Sequence, residues 1–314
     1  MEPFRLTLSN DAVVSGLSSI SHPKSSSTDH RPLIVGLHGG TYESQYFDAT
    51  PRYSASIPSL AFGVPFVAID RPSYRATSSL HPIPNGSDFP QETGIWLHRY
   101  ILPKLWTEFG VPNRCNSVVL LCHSLGVMGG VVAASLHARD EKPLYPLGGL
   151  IASGLGDTHK DPSFTEEYLD NEDLGYETIP VASKDAIMFP PGTAPAEIFE
   201  QSQRLNTPTP RSETALFKRV YLRVWKEKYA VHIKVPVMFA LVDDDSFFVV
   251  NEQELKTCAG AFRNSPRVDV SLVPGAPHCM EISYWSQGWY ARCFGFSMEC
   301  AAHVAWSSGQ SREQ

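Results

Sequence analysis

Short apolar runs recur along the chain, and longer segments with helical spacing separate them. Most of these runs are almost continuously apolar, which is typical of strands that are covered on both faces in a parallel sheet. The runs are LIVGL (33–37), PFVAID (65–70), SVVLLC (117–122), LGGLIAS (147–153), VPVMFALV (235–242) and RVDVSLV (267–273). The pattern therefore predicts a mainly parallel sheet.

The N-terminal residues carry a different pattern. FRLTL (4–8) and AVVSGLSSI (12–20) are separated by the turn residues SND, which predicts an antiparallel hairpin. The polar segment SHPKSSSTDHRP (21–32) follows and is predicted to be a loop.

Between the apolar runs lie segments in which apolar residues recur at helical spacing. They are QETGIWLHRYILPKLWTEFG (91–110), GVMGGVVAASLHARD (126–140), EQELKTCAGAFRNS (252–265) and YWSQGWYARCFGFSMECAAHVAW (284–306). Pro103 lies inside the first and is expected to kink it, because proline lacks a backbone N–H. The alternation of strands and helices predicts βαβ crossovers and a doubly wound α/β sheet.

Residues 155–232, here called the cap segment, interrupt this alternation. They contain the acidic FTEEYLDNEDLGYE, the turn-rich MFPPGTAP and two helical stretches, AEIFEQSQRL and ETALFKRVYLRVWKEKYAV. We interpret the cap segment as a helical insertion that lies over the strand ends and divides the α/β core into residues 1–154 and 233–314. The alternative is an extended excursion along the surface.

Charge and composition narrow the range of functions. The 314 residues carry a net charge of −7, and 42% are hydrophobic, which suits a sizeable core. The acidic balance, with a pI of about 5.9, argues against nucleic-acid binding. No apolar run reaches the roughly 20 residues that a membrane helix needs. The expected partner is a small-molecule substrate, and the oligomeric state is left open.

The cysteines and the first residues bear on location and cofactors. Six cysteines are scattered without C-x-x-C spacing, which favours reduced, buried thiols in a cytoplasmic protein. The first 20 residues lack a basic start and an uninterrupted apolar centre, so no secretory signal is expected. No Cys/His pair has zinc-ligand spacing, and we expect neither a metal nor another cofactor.

One serine stands between a predicted strand and a predicted helix, in the sequence CHSLG (122–126). A sharp strand–turn–helix connection presents a serine hydroxyl at the carboxyl edge of a parallel sheet. It requires small neighbours because the two backbones approach closely. The usual pattern is G-x-S-x-G, so Cys122 replaces the first glycine. Ser124 is the candidate nucleophile, and the alternative is that it caps the helix N-terminus.

With this motif in its context, the chain resembles the α/β-hydrolase superfamily over almost its whole length. The resemblance implies an α/β-hydrolase fold with a mostly parallel, doubly wound sheet and a helical lid formed by the cap segment. It also implies a serine nucleophile, Ser124, followed along the chain by an acid and then a histidine.

The acid and the base are assigned from that order. VPVMFALVDDDSFF offers three adjacent carboxylates, and the family pattern of a strand followed by G-x-x-D favours Asp245, then Asp244. Asp157 is a further candidate, because some relatives take the acid from the preceding strand. His278 lies in a Gly/Pro turn after the last predicted strand and is the candidate base.

Two backbone donors are expected to face the oxyanion of an acyl-transfer intermediate. The residue after the nucleophile, Leu125, supplies one N–H. The other comes from LHGGTYESQYF (37–47), here called the oxyanion loop, where Gly40 is the first candidate and Thr41 the second. Tyr42 either adds a hydroxyl to the pocket or stacks on the cap segment.

The remaining candidates concern support and substrate. His38 is expected to brace the oxyanion loop, and His123 to tilt away from the hydroxyl of Ser124. The segment DRPSYR (70–75) resembles a family loop, in which Arg71 is expected to tie loops together, with a binding role as the alternative. The residues expected to line an apolar substrate pocket, unless they form the core of the lid itself, are Met188, Phe189 and Phe247.

The leading hypothesis is a serine hydrolase that cleaves a carboxylic ester, thioester or lactone through an acyl-enzyme. The substrate is expected to be fairly bulky and apolar, and the resemblance favours a secondary metabolite. One alternative uses the same three residues for C–C bond cleavage, lyase or cyclisation chemistry in natural-product biosynthesis. Another is a non-catalytic binding protein that keeps the fold.

Overall fold

The computed structural model describes residues 1–20, 30–161 and 174–310. Within these ranges, the main element is an eight-stranded sheet with the spatial order β1-β2-β4-β3-β5-β6-β7-β8. In chain order the strands are β1 Glu2–Thr7, β2 Val13–Ser19, β3 Pro32–Leu37, β4 Phe66–Ile69, β5 Ser117–His123, β6 Leu147–Ser153, β7 Val237–Val242 and β8 Val268–Val273. β2 is antiparallel to β1 and to β4, and every other pairing is parallel. The predicted hairpin and the mainly parallel sheet are confirmed.

Helices cover both faces of this sheet. They are α1 Ser56–Phe62, α2 Phe89–Trp96, α3 Gly126–Arg139, α4 Val181–Met188, α5 Ala196–Phe199, α6 Arg211–Leu216, α7 Leu222–Lys228, α8 Glu252–Gly260 and α9 Ser286–Gln310. Val35 and Leu120 belong to the core on the side of α2 and α3, whereas Ile34 and Val119 belong to the core on the side of α9. Consecutive strand residues are thus buried on opposite faces, which explains why the strand sequences are continuously apolar.

The helix predicted at 91–110 is continuous but irregular. After α2 it passes through a π-helical turn at Leu97–Ile101, an α-helical stretch at Leu102–Leu105 and a second π-helical turn at Trp106–Gly110. Pro103 is the second residue of the α-helical stretch after the first π turn, so the irregularity lies close to where the missing N–H was expected to disturb the helix.

The described residues of the cap segment form short helices. Of the two helical stretches predicted there, the first keeps only α5 and continues as turns from Glu200 to Leu205. The second runs from α6 through a π turn at Phe217–Tyr221 into α7. The predicted loop at 21–32 and the acidic stretch at 164–177 fall mostly outside the described residues. The boundaries of the cap segment stay a prediction.

Shorter elements complete the described chain. The small strands are Asp48–Thr50, Tyr53–Ser54, Tyr176–Glu177 and Thr209–Pro210, and the 3-10 turns are Ser44–Phe47, Ala230–His232 and Met280–Ile282. All six cysteines are free and buried, as their scattered spacing predicted. None of the helices in the described part of the chain combines the length and apolar character needed to cross a membrane.

Candidate active site

Ser124 occupies a strained turn between β5 and α3. Its φ angle is +50°, in the left-handed region that side chains other than glycine rarely adopt. Its N–H donates to the carbonyl oxygen of Ser153 on the neighbouring strand at 2.7 Å. A Cβ atom on Gly126 would lie 2.5 Å from the carbonyl oxygen of Leu37, so this position requires glycine. The residues around Ser124 are therefore small because the backbones of neighbouring segments approach closely there.

Cys122, which replaces the first glycine of the G-x-S-x-G pattern, packs against a glycine of α3, Gly130. The side chain of Cys122 is fully buried, and its Sγ atom fills the space that a Cβ atom on Gly130 would occupy. A larger residue is accepted at position 122 because residue 130 has no side chain.

We expect the Gly130→Ala substitution to destabilise the wild-type protein by about 1–3 kcal/mol, because the new methyl group overlaps the Cys122 sulfur in a packed core. In a Cys122→Ala background the nearest side-chain atoms would be 3.5 Å away, which is ordinary contact. There the same substitution is expected to be neutral or stabilising, since alanine is the better helix former. Urea unfolding of the wild-type protein, the two single variants and the double variant measures this coupling, and equal costs of Gly130→Ala in both backgrounds would contradict it.

His278 and Asp245 lie beside the Ser124 hydroxyl in a hydrogen-bonded chain. The Nδ1 atom of His278 is 2.7 Å from Asp245 Oδ2, and its Nε2 atom is 3.0 Å from Ser124 Oγ. An ionised carboxylate only accepts, so Nδ1 carries the proton and Nε2 is left to accept from the serine hydroxyl. The structure thus brings together the three residues that the sequence singled out.

Asp245 is held in its ionised form. Its Oδ1 atom accepts from the N–H groups of Phe247 at 2.8 Å and Phe248 at 3.1 Å. Burial alone would raise the pKa of Asp245, but the imidazole of His278 and these two donors hold it below its usual range. The carboxylate is therefore an acceptor for the imidazole N–H at neutral pH.

The other two candidate acids are placed elsewhere. The side chain of Asp244 is 86% exposed and lies 3.8 Å from Lys160 Nζ. Asp157 accepts from Trp225 Nε1 at 2.8 Å and from Lys226 Nζ at 2.5 Å. Neither of these carboxylates contacts His278, so the geometry agrees with the first choice made from the sequence.

The backbone N–H groups of Leu125 and Gly40 have no acceptor among the described residues, and both residues line the same cavity as Ser124. The oxyanion loop passes so close to the nucleophile that a Cβ atom on Gly39 would lie 2.9 Å from Ser124 Cβ. These are the two donors that the sequence favoured.

The second candidate in the oxyanion loop, Thr41, does not offer a free donor. Its N–H donates to the hydroxyl of Thr209 at 2.7 Å, so this group is already satisfied within the protein. Thr41 contributes to the wall of the cavity in front of Ser124, and the prediction of its backbone as a donor is wrong in this geometry.

The carbonyl of Gly39 is fixed by two buried side chains. His38 Nδ1 lies 2.7 Å from this oxygen, and Arg71 Nη2 donates to it at 3.2 Å. The His38 ring also accepts from the N–H of Arg71 at 3.1 Å, which places its proton on Nδ1. Burial, with a smaller effect of the Arg71 charge, lowers the pKa of His38, so the ring is neutral. His38 therefore braces the oxyanion loop, as the sequence suggested.

Arg71 connects that loop to the cap segment. It forms a buried ion pair with Glu213 on α6, and the hydroxyl of Tyr74 donates to the same carboxylate at 2.5 Å. Because Arg71 is fully buried and engaged in this way, the structure agrees with its expected linking role and gives no room for substrate binding.

A cavity of about 190 Å³ opens in front of Ser124. Residues of the core and of the cap segment line it together. Its apolar wall is formed by Leu125, Ile179, Met188, Phe217, Phe247 and Phe248, and its polar wall by His159, Glu177, Thr209, Thr214 and Lys218. Met188 and Phe247 lie where the sequence placed them, and the ring of Phe247 also packs against His278 with centroids 4.7 Å apart.

Tyr42 and Phe189, predicted to contact substrate, lie outside this cavity. Tyr42, itself part of the oxyanion loop, is buried; its hydroxyl lies 3.6 Å from Cys279 Sγ, and Lys184 of the cap segment lies over its ring. Phe189 packs on Phe199 within the cap segment. The prediction that these two residues contact the substrate is therefore wrong, whereas the alternatives given with it agree with the structure: Tyr42 lies against the cap segment, and Phe189 packs within it.

A second buried acid lies behind His278 and had no signal in the sequence. Glu281 accepts from the Tyr46 hydroxyl at 2.6 Å and from Trp289 Nε1 at 2.9 Å. His123 lies between this group and His278, stacked on the Tyr46 ring, and makes no hydrogen bond to Ser124. Burial lowers the pKa of His123 and raises that of Glu281, so both groups tend towards their neutral forms.

The comparisons with known proteins show a similarity of structure, but none of sequence. No protein-family model matches the sequence, and no curated protein matches it either. A monoacylglycerol lipase from Paleococcus ferrophilus has a TM-score of 0.61 at 14% identity, covering 96% of this chain and 100% of that one. A putative aryl esterase from Burkholderia cenocepacia has a TM-score of 0.61 at 12% identity, with the same coverage. The thioesterase domain from the curacin biosynthetic pathway has a TM-score of 0.58 at 14% identity, covering 95% and 99%.

These likenesses extend over nearly the whole of each chain, and they agree with the strand order and the connection at Ser124. The chain therefore has the α/β-hydrolase fold, as the resemblance of its sequence predicted.

Proposed function

We propose that the protein is a serine hydrolase that cleaves a carboxylic ester or thioester through an acyl-enzyme. The observation that carries the proposal is the hydrogen-bonded chain from Ser124 through His278 to Asp245. Beside it lie the backbone N–H groups of Leu125 and Gly40, which have no acceptor in the described part of the chain. The names of the similar structures, which include a monoacylglycerol lipase, a putative aryl esterase and a thioesterase domain, support the same reaction class.

In the proposed mechanism, Ser124 Oγ attacks the carbonyl carbon of the substrate while its proton passes to His278 Nε2. The N–H groups of Leu125 and Gly40 stabilise the negative charge that develops on the carbonyl oxygen. The intermediate collapses to the acyl-enzyme, and the departing alkoxide or thiolate takes the proton from His278. Water then attacks the acyl group with His278 as base, which releases the acid and regenerates the serine.

The size and lining of the cavity support an apolar group of moderate size on the substrate. A cavity of about 190 Å³ is somewhat larger than the roughly 150 Å³ that accommodates benzene in a protein core. It suits an aromatic ring or a medium-length acyl chain, and larger parts of a substrate would extend beyond it.

We expect turnover of p-nitrophenyl esters to peak at acyl chains of about four to eight carbons, because longer chains exceed the cavity in front of Ser124. The measurement is kcat/KM across a series from acetate to palmitate, with the corresponding acyl thioesters assayed in parallel. A preference for palmitate would contradict the assignment of this cavity as the acyl site. No turnover of any ester, together with no labelling by a fluorophosphonate probe, would favour a binding protein.

A further inference from the structure

The oxyanion loop is held at Thr41 by three groups of the cap segment. The carbonyl oxygen of Thr41 accepts from Lys184 Nζ at 3.0 Å and from the N–H of Thr207 at 2.9 Å. The N–H of Thr41 donates to Thr209 Oγ1 at 2.7 Å. Both polar groups of this residue's backbone are therefore satisfied by residues more than 140 positions further along the chain.

The backbone of Thr41 is strained and needs such support. Its φ angle is +63°, and a β-branched side chain makes this left-handed conformation unfavourable. Such conformations persist only where surrounding contacts over-determine them, and they cluster at functional sites. The hydrogen bonds from the cap segment are contacts that hold Thr41 in this strained conformation.

The second cap-segment side chain that contacts Thr41 is Lys184, and a lysine is rarely buried without a carboxylate partner. Its side chain is 1% exposed, its Nζ lies 3.7 Å from the centre of the Tyr42 ring, and its other acceptor is the carbonyl of Leu205 at 2.7 Å. No carboxylate of the described residues forms an ion pair with it, and Asp185 acts on its charge only from a distance. Burial lowers the pKa of Lys184 to about 8. The ammonium group is thus committed to two carbonyls, one of which belongs to the oxyanion loop.

Gly40 lies between two fixed peptide groups, and the cap segment holds the second of them. The Gly39–Gly40 peptide is trans and planar, so its N–H points away from the Gly39 oxygen that Arg71 and His38 hold. The Gly40–Thr41 peptide is fixed in turn by the bond from Thr41 N–H to Thr209. The Gly40 N–H lies in the first of these planes. Because Gly40 has no side chain to restrict its φ and ψ angles, fixing the second plane limits how far the first can rotate.

We propose that Thr209 and Lys184 are positioning residues, which act through Thr41 to hold the Gly40 N–H at the oxyanion. This inference rests on the proposed serine hydrolase function. The cap segment then does more than cover the cavity, because it completes the alignment of a donor in the core.

The test compares Thr209→Val with Thr209→Ser. Valine keeps the shape and loses the acceptor of the Thr41 N–H, whereas serine keeps the hydroxyl. We expect Thr209→Val to lower kcat for a p-nitrophenyl ester about tenfold to a hundredfold with KM within about twofold, since loss of a whole donor costs about 10²–10³. Thr209→Ser is expected to recover kcat to within about threefold of wild type. Amide hydrogen exchange over residues 38–42 should be faster in Thr209→Val than in Thr209→Ser.

Several outcomes would overturn the proposal. Equal kcat for the valine and serine variants would do so, and so would a rise in KM alone, because Thr209 also lines the cavity. If Thr209→Val does not fold, Lys184→Met is expected to show the same loss of kcat and the same faster exchange. A Ser124→Ala variant as active as wild type would refute the proposed function, and unchanged exchange over residues 38–42 would separately refute the positioning role.

Discussion

Replacement of Ser124 with alanine is expected to lower kcat for ester hydrolysis by a factor on the order of 10⁶ and to abolish labelling by a fluorophosphonate probe. The reason is geometric. Ser124 Oγ is the hydroxyl at 3.0 Å from His278 Nε2, and the turn at φ +50° directs it to the cavity. Without this oxygen, the imidazole has no nucleophile to deprotonate and no acyl-enzyme can form.

Ser135 provides a matched control on the adjoining helix. Its hydroxyl is buried in α3 and has no hydrogen-bond partner among the described residues, so Ser135→Ala should retain wild-type turnover. Initial rates with a short-chain nitrophenyl ester and gel-based probe labelling measure both variants. Labelling of Ser124→Ala at the wild-type rate would exclude this residue as nucleophile.

The Asp245→Asn substitution is expected to lower kcat about 10⁴-fold while the protein stays folded. The amide is nearly isosteric and still accepts from the N–H groups of Phe247 and Phe248, but it bears no charge to stabilise the imidazolium of His278. An amide N–H facing His278 also favours the wrong tautomer of the imidazole, in which Nε2 carries the proton.

The two other acids that the sequence offered serve as controls. Asp244→Asn is expected to leave kcat within about twofold of wild type, because that side chain is exposed and its contact with Lys160 is a surface ion pair. Asp157→Asn is expected to lower the midpoint of thermal unfolding, through the lost pair with Lys226, and to affect kcat much less than Asp245→Asn. A larger loss of kcat in either control than in Asp245→Asn would assign the acid differently.

The core of the fold and the candidate site could be predicted from the sequence because both carry local signals. Strands covered on both faces have continuous apolar runs, and the turn at Ser124 needs small residues within a few positions. Asp245 and His278 each lie within five residues after the end of a strand of the parallel sheet, so their meeting at one edge follows from the topology. The choice of Asp245 and His278 among the acids and histidines of the chain came from the resemblance to the α/β-hydrolase superfamily, which implies the order serine, acid, histidine.

The contacts of the cap segment could not be predicted in the same way. Tyr42 and Phe189 resemble pocket residues in the sequence, but the packing of two separate segments determines which apolar side chains are left facing the cavity. The exclusion of the Thr41 N–H as a donor depends on Thr209, which no local pattern relates to the oxyanion loop. Glu213 likewise gives no sign in the sequence that it neutralises Arg71.

The buried pair of Arg71 and Glu213 has a consequence for protein engineering. A shortened protein made by excising the cap segment would lose Glu213, and a chimera that receives the cap of another protein would place a different residue against the buried guanidinium of Arg71. One-sided removal of a buried ion pair is costly, about 3–5 kcal/mol, whereas joint replacement by apolar residues is often tolerated. Grafting of foreign caps onto this scaffold therefore has to retain an acid at position 213 or redesign Arg71 at the same time.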